Sequence, residues 1–296
     1  MALVGKVSAT FSRLALPLYL TPAVLGLLCF FVAPTLWLFR LSLYSSAPSG
    51  SGFYVADSLT LQHYADVLSD PYFRNLGAAT LKLGLAVTAA AMLTAYPLAV
   101  YLYRARPAIK AGVLLAVLLP KFSNVLVGMY GVLVLLANSG PINRFLLWTG
   151  LINAPLPMFA SLFAVVVGET LVVAPYPVLI LASALHGVDR GLEDAARGLG
   201  ASPLRAFYEV PFKLTLPSLA LAALVTLIWA LGAFTAPLVL GNPEWYPVGV
   251  EVYSRTFEDA NWPLGATLAV SNLIMVGVIA AAALAVHGAL EKRLGR

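Results

Sequence analysis

The sequence predicts an all-α membrane protein with six transmembrane helices. Of its 296 residues, 60% are hydrophobic and 10% are charged, and the mean hydropathy is +0.89. This composition excludes an ordinary soluble domain. The apolar residues fall into six long runs, and most basic residues lie at the termini or between alternate runs. Both patterns are typical of a chain that crosses a bilayer repeatedly.

Each of the six runs is close to the ~20 residues that a helix needs to cross the hydrocarbon core. Within a single transmembrane domain, 1–296, they cover about residues 17–39, 80–102, 112–136, 158–184, 216–240 and 264–286. Pro175 and Pro177 predict a bend in the fourth run, because proline removes a backbone donor and clashes with the preceding turn. The stretch from Phe145 to Leu151 is too short to span and predicts a small surface helix.

The basic residues indicate which ends of the runs face the cytoplasm. Twelve Lys and Arg residues lie at the termini and in the second and fourth connections, against five on the other side. By the positive-inside rule, both termini and the connection 187–213 are expected in the cytoplasm. This placement also accounts for the net charge of +5, so no nucleic-acid partner is expected.

The connection 187–213 is dense in charge and predicts two short helices joined by a tight turn. Its apolar positions lie at i, i+3/i+4 and i+7 and form one narrow stripe: Leu192, Ala195, Ala196 and Leu199. Charges four residues apart are predicted to pair on the opposite side: Arg190 with Asp194, and Glu193 with Arg197. An alanine pair flanked by charge suits a shallow groove on another protein.

The turn between these two helices has recognisable end signals. Gly200 is predicted to stop the first helix, since glycine enters the left-handed conformation without penalty. Ser202 is predicted to cap the second helix, with Pro203 at its first position, where no hydrogen bond is lost.

This spacing resembles the cytoplasmic EAA loop in permease subunits of bacterial ABC importers. That pattern reads Glu-Ala-Ala, three residues, Gly, nine residues, then Ile-x-Leu-Pro. Here Asp194-Ala195-Ala196 stands at its head, Gly200 at the glycine and Val210 at the isoleucine. Aspartate replaces glutamate, and Phe212-Lys213 replaces Leu-Pro, so the head of the motif matches better than its tail.

The resemblance implies the type I ABC importer permease fold in the bacterial cytoplasmic (inner) membrane. It implies as partners two ABC ATPase subunits, a second permease and an extracytoplasmic solute-binding protein. The second permease is expected to be a homologous but different chain, with a homodimer as the alternative. ATP and Mg would be held by the ATPase, and this chain would carry no cofactor of its own. The ATPase is expected to dock on the 192–212 loop, at Glu193, Asp194, Ala195, Ala196, Gly200, Ala201, Pro203 and Phe207.

Three other stretches resemble the spermidine/putrescine-type branch of these permeases: residues 61–75, 230–245 and 261–265. The resemblance implies a small charged organic solute of the polyamine class. The alternatives are an opine, a phosphonate or another anionic solute carried by the same machinery. An ion-coupled secondary transporter is a further alternative.

Two ionisable residues, Lys121 and Glu169, lie inside predicted spans at comparable depth. Charge there is costly and normally faces a cavity or a partner. The two residues would neutralise each other as a packing pair, line the solute path, or do both; unrelated packing is the third possibility. The residues expected along the path are Lys121, Ser123, Asn124, Glu169, Phe234 and Thr235.

The sequence has no G-x-x-x-x-G-K-[ST], H-E-x-x-H, C-x-x-C or G-x-S-x-G motif. These are the short signatures of phosphate loops, metal sites and activated nucleophiles. We therefore expect no catalytic residues and no metal site, and a transport subunit rather than an enzyme. Cys29, the one cysteine, is predicted to be a buried apolar residue.

Overall fold

The computed structural model describes residues 20–47, 52–55 and 58–293. In this part of the chain the regular structure is helical, apart from one isolated bridge between Tyr44 and Leu59. The start of the first predicted run and the basic residues that precede it lie outside the described residues. By internal contacts the chain divides into two units. One comprises the residues up to Val67 together with Val252–Val270, and the other comprises Leu68–Glu251 and the residues from Ser271 onward.

The helices of the described residues are numbered in chain order. They are α1 (Leu20–Leu41), α2 (Gln62–Ser69), α3 (Pro71–Arg104), α4 (Pro107–Leu118), α5 (Val125–Leu136), α6 (Pro141–Trp148), α7 (Leu162–Val173), α8 (Pro175–His186), α9 (Arg190–Gly198), α10 (Pro203–Leu231), α11 (Thr235–Leu240), α12 (Val248–Tyr253) and α13 (Trp262–Arg293).

Five of these stretches are long and apolar enough to cross a membrane: α1, α3, α5 with α6, α10 and α13. Helices α7 and α8 meet at an angle of 50°. If the pair is counted as one span, it is the sixth candidate membrane span of the described residues. The bend lies at Ala174, directly before Pro175, where the prolines predict it.

The third predicted run, 112–136, is interrupted at its middle. Helix α4 ends at Leu118, a 3-10 turn covers Leu119–Phe122, and α5 begins at Val125. Pro120 lies in this turn, because proline supplies no N–H to continue an α-helix. Asn124 starts the next helix, since its side chain accepts a hydrogen bond from the backbone N–H of Leu126 (2.9 Å).

Two further helices begin earlier than the apolar pattern indicates. Helix α3 begins at Pro71 rather than residue 80, because the Asp70 side chain caps it by accepting from the backbone N–H of Tyr72 (2.8 Å). Helix α10 begins at Pro203 rather than residue 216, and a π-helical turn at Tyr208–Phe212 accommodates Pro211. Hydrophobicity shows where a helix becomes apolar, whereas the caps show where it begins.

In the second unit, α3 packs against α7, α8 and α10. In the middle of α3, successive turns place small side chains on the buried face. All four are fully buried: Val87, Ala91, Ala95 and Ala99. Small residues allow neighbouring helix backbones to approach closely. Helix α11 packs against α5 and α7, where Gly168 leaves room for Leu240 and Met129.

The first unit is held together by hydrogen bonds between the end of α1 and the start of α13. The Thr267 hydroxyl donates to the backbone oxygen of Ser42 (3.1 Å), and the Ser46 hydroxyl donates to the Asn261 side chain (2.7 Å). Cys29 on α1 is exposed. The prediction that it is buried is wrong, because α1 buries almost none of its apolar surface within this chain.

Candidate functional site

Residues 189–213, hereafter the amphipathic segment, fold as two short helical pieces joined by a turn. The Asp189 side chain caps α9 by accepting from the backbone N–H of Gly191 (2.8 Å). Gly200 has a φ of +89°, the left-handed conformation that its position requires. The backbone N–H groups of Gly200 and Ala201 donate to the carbonyls of Arg197 (2.9 Å) and Ala196 (3.1 Å). This pair of bonds closes the C-terminus of α9 as a Schellman motif.

The second helical piece begins as the sequence predicts. Pro203 is its first residue, and the Ser202 hydroxyl accepts from the backbone N–H of Arg205 (3.4 Å). The turn from Gly200 to Pro203 is therefore fixed by local chemistry on both sides.

One side of the amphipathic segment is fastened to the C-terminal end of α3. The Arg104 guanidinium donates to the Glu193 carboxylate at 2.9 Å, and only 8% of the Glu193 residue is exposed. Arg190 donates to the backbone carbonyl of Tyr103 and lies over the Tyr103 ring, 5.1 Å from its centroid. A cation at this position also complements the negative end of the α3 dipole.

Arg104 makes a second contact with the amphipathic segment. Its guanidinium lies 5.7 Å from the centroid of the Phe207 ring. One arginine at the end of α3 therefore contacts both helical pieces, through a carboxylate in α9 and an aromatic face in α10. The predicted pairing of Glu193 with Arg197 and of Arg190 with Asp194 is wrong, because Glu193 and Arg190 turn inward to α3 instead.

The other side of the amphipathic segment exposes large apolar side chains. Leu199 is 92% exposed and Leu204 is 84% exposed, and about half of Leu192 and Tyr208 is exposed. Asp194 and Ala195 are exposed beside them. An apolar patch of this kind marks an interaction surface more often than isolated exposed leucines do.

The residues predicted to dock an ATPase divide between these two sides. Glu193 belongs to the inward side, with Arg104, and Phe207 is half-buried under that arginine. The remaining members lie exposed or half-buried along the segment and its turn: Asp194, Ala195, Ala196, Gly200, Ala201 and Pro203.

Lys121 lies on the 3-10 turn between α4 and α5, where it contacts an aromatic pair. Its Nζ is 4.4 Å from the centroid of the Tyr176 ring and 5.4 Å from that of Trp229. The two rings stack at 5.0 Å with an interplanar angle of 20°. Distances below about 6 Å from an ammonium to a ring centroid are typical of cation–π contacts.

Glu169 lies on α7 and is 6% exposed. Helix α7 packs against the 3-10 turn that carries Lys121, but no ion pair joins the two side chains among the described residues. The structure therefore brings the two ionisable residues into one neighbourhood without joining them. Gly168, the residue before Glu169, packs against Leu240 of α11.

The other four predicted path residues lie at helix breaks. Ser123 and Asn124 are exposed between the 3-10 turn and α5, and the Asn124 side chain caps α5. Phe234 and Thr235 are half-buried where Gly232–Phe234 separates α10 from α11.

Sequence reasoning did not identify the partners that hold these residues. Arg104 and Tyr103 lie almost ninety residues before the segment that they anchor. Tyr176 stands between the two prolines of α8, and Trp229 lies in the apolar run of α10. A lone lysine in a span is a reason to search for aromatic side chains in the neighbouring spans. Among the described residues, no three His, Cys, Asp or Glu side chains gather as a metal site would require.

Apolar helices long enough to cross a membrane, joined by a charged amphipathic segment, define the class of integral membrane proteins. A family model described as binding-protein-dependent transport system inner membrane component matches residues 111–296. The chain belongs to this family. It is a permease subunit of an ABC importer in the inner membrane and not an enzyme, and this replaces the alternative of an ion-coupled transporter.

Individual relatives agree with this assignment. The spermidine/putrescine transport system permease protein PotB of Escherichia coli (strain K12) is 29% identical over 226 residues, 76% of this chain and 82% of that protein. The inner membrane ABC transporter permease protein YdcU of the same strain is 29% identical over 294 residues, 92% of this chain and 90% of that protein.

A solved structure shows the same fold. A chain in the crystal structure of a bacterial ABC transporter involved in the import of the acidic polysaccharide alginate aligns with a TM-score of 0.73 and 16% identity. The alignment covers 95% of this chain and 98% of that one. The fold is therefore the predicted type I ABC importer permease fold.

Proposed function

We propose that this permease couples to a separate cytoplasmic ATPase through its amphipathic segment and forms part of the path for a small charged solute. The observation that carries the proposal is the two-sided character of the segment. Its outward side offers Leu199 and Leu204 to a partner, while its inward side is tied to α3 by Arg104 and Arg190. A segment that binds a partner on one side and is bonded to a long helix on the other can pass a movement of the partner on to that helix.

The assembly that we propose has two ATPase subunits, a second and homologous permease, and an extracytoplasmic solute-binding protein. ATP and Mg belong to the ATPase. The positive-inside distribution supports a cytoplasmic location for the amphipathic segment and for both termini. Closure of the ATPases would pull the segment, and α3 would follow through its anchored end.

For the solute we propose a compound of the polyamine class. The name of the PotB relative supports it, and so does the placement of Lys121 against two aromatic faces. The same ring faces can attract an ammonium group of a cationic solute. Glu169 lies on α7, which packs against the turn that carries Lys121.

A second candidate is an anionic solute, such as an opine or a phosphonate. Lys121 favours it, because its ammonium forms no ion pair with a carboxylate among the described residues. Ligand screening of the solute-binding protein encoded beside this chain separates the two. Tight binding of a diamine supports the first candidate, and tight binding of a carboxylate or phosphonate supports the second.

The docking proposal is tested with two exposed leucines. Leu199→Asp places a charge in the outward apolar patch, whereas Leu68→Asp places one at the end of α2 on a residue that is also 75% exposed. We expect Leu199→Asp to lower ATPase co-purification and ATP-driven uptake on the order of tenfold, the effect of losing about 1.4 kcal/mol of binding. Leu68→Asp should change neither. Equal behaviour of both variants would refute docking at this surface.

A further inference from the structure

The aromatic pair formed by Tyr176 and Trp229 has the properties of a cation site. Its rings are stacked at 5.0 Å, and the lysine ammonium lies 4.4 Å from one ring centroid and 5.4 Å from the other. Aromatic faces recognise ammonium groups through their negative quadrupole. Helix α7, which carries the buried Glu169, packs against the turn that carries Lys121.

The occupant and the site differ in how firmly they are held. Tyr176 is the second residue of α8, directly after the bend at Ala174, and Trp229 lies two residues before the end of α10. Lys121 stands on the short 3-10 turn between α4 and α5 and has an exposed side chain. Mid-span 3-10 turns of this kind often mark hinges. The rings also contact each other, whereas the Lys121 ammonium is held among the described residues by the rings alone, so the lysine is the member of this group that a solute can replace.

The contact that holds Lys121 is also weak enough to be replaced. Its ammonium is bound by ring faces and not by a carboxylate ion pair. An alkylamine solute ends in the same chemical group as lysine, so it can make the same contact with the rings. A second alkylammonium group and Lys121 cannot occupy one ring face together, because like charges repel strongly where the dielectric is low.

We propose that Tyr176 and Trp229 form a binding site for the alkylammonium group of the solute, and that Lys121 occupies this site until the solute displaces it. The inference rests on the proposed transport of a small charged solute and assigns its chemical class. Lys121 then acts as a tethered competitor that keeps the site filled between solute molecules.

The test is a titration of the full-length chain, purified in its transporter complex, with radiolabelled 1,4-diaminobutane. Nanodiscs of phosphatidylglycerol exclude lipid amines as the occupant. We expect Lys121→Met to tighten diamine binding about tenfold, since the competitor is gone. Lys121→Arg should bind like the wild type, because its guanidinium also covers the rings.

A second substitution tests whether the tighter diamine binding of Lys121→Met depends on the rings. Trp229→Leu added to Lys121→Met should abolish the tenfold gain, whereas Trp148→Leu, which removes an exposed tryptophan of α6, should preserve it. Unchanged or weaker diamine binding in Lys121→Met would overturn the proposal. So would succinate binding that is present in the wild type and lost in Lys121→Met, since Lys121 would then be an anion ligand.

The titration uses no ATP and therefore separates this inference from the proposed function. If Leu199→Asp leaves ATPase association intact while Lys121→Met tightens diamine binding, docking at the amphipathic segment is wrong and the ammonium site stands. If Leu199→Asp releases the ATPase while diamine binding is unchanged in Lys121→Met, the ammonium site is wrong and the docking stands.

Discussion

The amphipathic segment and the break in the third span both hold charge against the helices of the second unit, but by different contacts. In the segment, Glu193 is buried beside Arg104, and Arg190 binds a backbone carbonyl at the end of α3. At the break, Lys121 rests on the faces of two rings. The first arrangement uses directional hydrogen bonds between ionised or strongly polar groups, and the second uses a softer, less directional attraction.

This difference in contacts indicates which of the two regions keeps its geometry when the protein moves. A buried carboxylate that loses its arginine leaves an unpaired charge, so Glu193 and Arg104 are expected to move together. A lysine that leaves a ring face can be solvated or replaced at small cost. This comparison supports the proposals that the segment transmits force and that Lys121 at the break exchanges with the solute.

The largest effect should come from the turn of the amphipathic segment. Gly200 has a φ of +89° and open space around its Cβ position, so Gly200→Val is opposed by backbone strain and not by a clash. A side chain in this conformation costs about 1–2 kcal/mol, more when it is β-branched. We expect ATP-driven uptake to fall on the order of thirtyfold with normal membrane insertion.

Gly150 provides the matched control for this substitution. It also has a positive φ, +71°, and open space, but it follows α6 far from the segment in sequence. Gly150→Val should keep uptake within about twofold of the wild type while lowering thermal stability similarly. Equal loss of uptake in both variants would show that strain alone is responsible and that the segment has no special role.

A smaller effect is expected where the segment meets α3. Arg104→Ala leaves the Glu193 carboxylate buried without its partner, and we expect about a tenfold loss of uptake per ATP hydrolysed. Exchange of the two charges, Arg104→Glu with Glu193→Arg, should restore part of the coupling. Arg106→Ala, which removes an exposed arginine two residues away, is the control and should couple normally. Loss of the ATPase from the complex in Arg104→Ala would contradict an internal role for this pair.

The smallest effects should come from the two helix caps. Asn124 accepts a hydrogen bond at 2.9 Å at the break, and Ser202 accepts one at 3.4 Å in the segment. Alanine at an N-cap costs about 0.5–2 kcal/mol, with the shorter bond contributing more. We expect Asn124→Ala to lower the unfolding temperature more than Ser202→Ala does. The reverse order, measured by thermal unfolding in the same detergent, would contradict the hydrogen-bond geometry.

Local signals in the sequence are sufficient to predict the segment and the bends. Gly200, Ser202 and Pro203 each act on the next few residues, so their roles follow from spacing alone. Pro175 and Pro177 predict the bend of the fourth span for the same reason. The EAA-like spacing indicates the family that the family model confirms.

The partners of the charged residues could not be predicted in this way. Glu193 and Arg104 are separated by 89 residues, and no local rule selects Arg104 over the nearer Arg197. The i,i+4 preference is worth only about 0.2–0.5 kcal/mol, and a buried contact with another helix outweighs it. The break at Pro120 does not follow from the proline alone, because Pro97 and Pro217 lie inside α3 and α10 without ending them.

The buried face of α3 has a mechanical consequence. From Val87 to Ala99 it is lined at successive turns by one valine and three alanines. Larger side chains of the same stretch pack between the neighbouring helices: Met92, Tyr96 and Leu98 contact the core that α3 shares with α8 and α10, and the Tyr96 ring contacts the Phe212 ring. We therefore expect α3, which is 34 residues long, to move together with the helices packed on it when its Arg104 end is displaced.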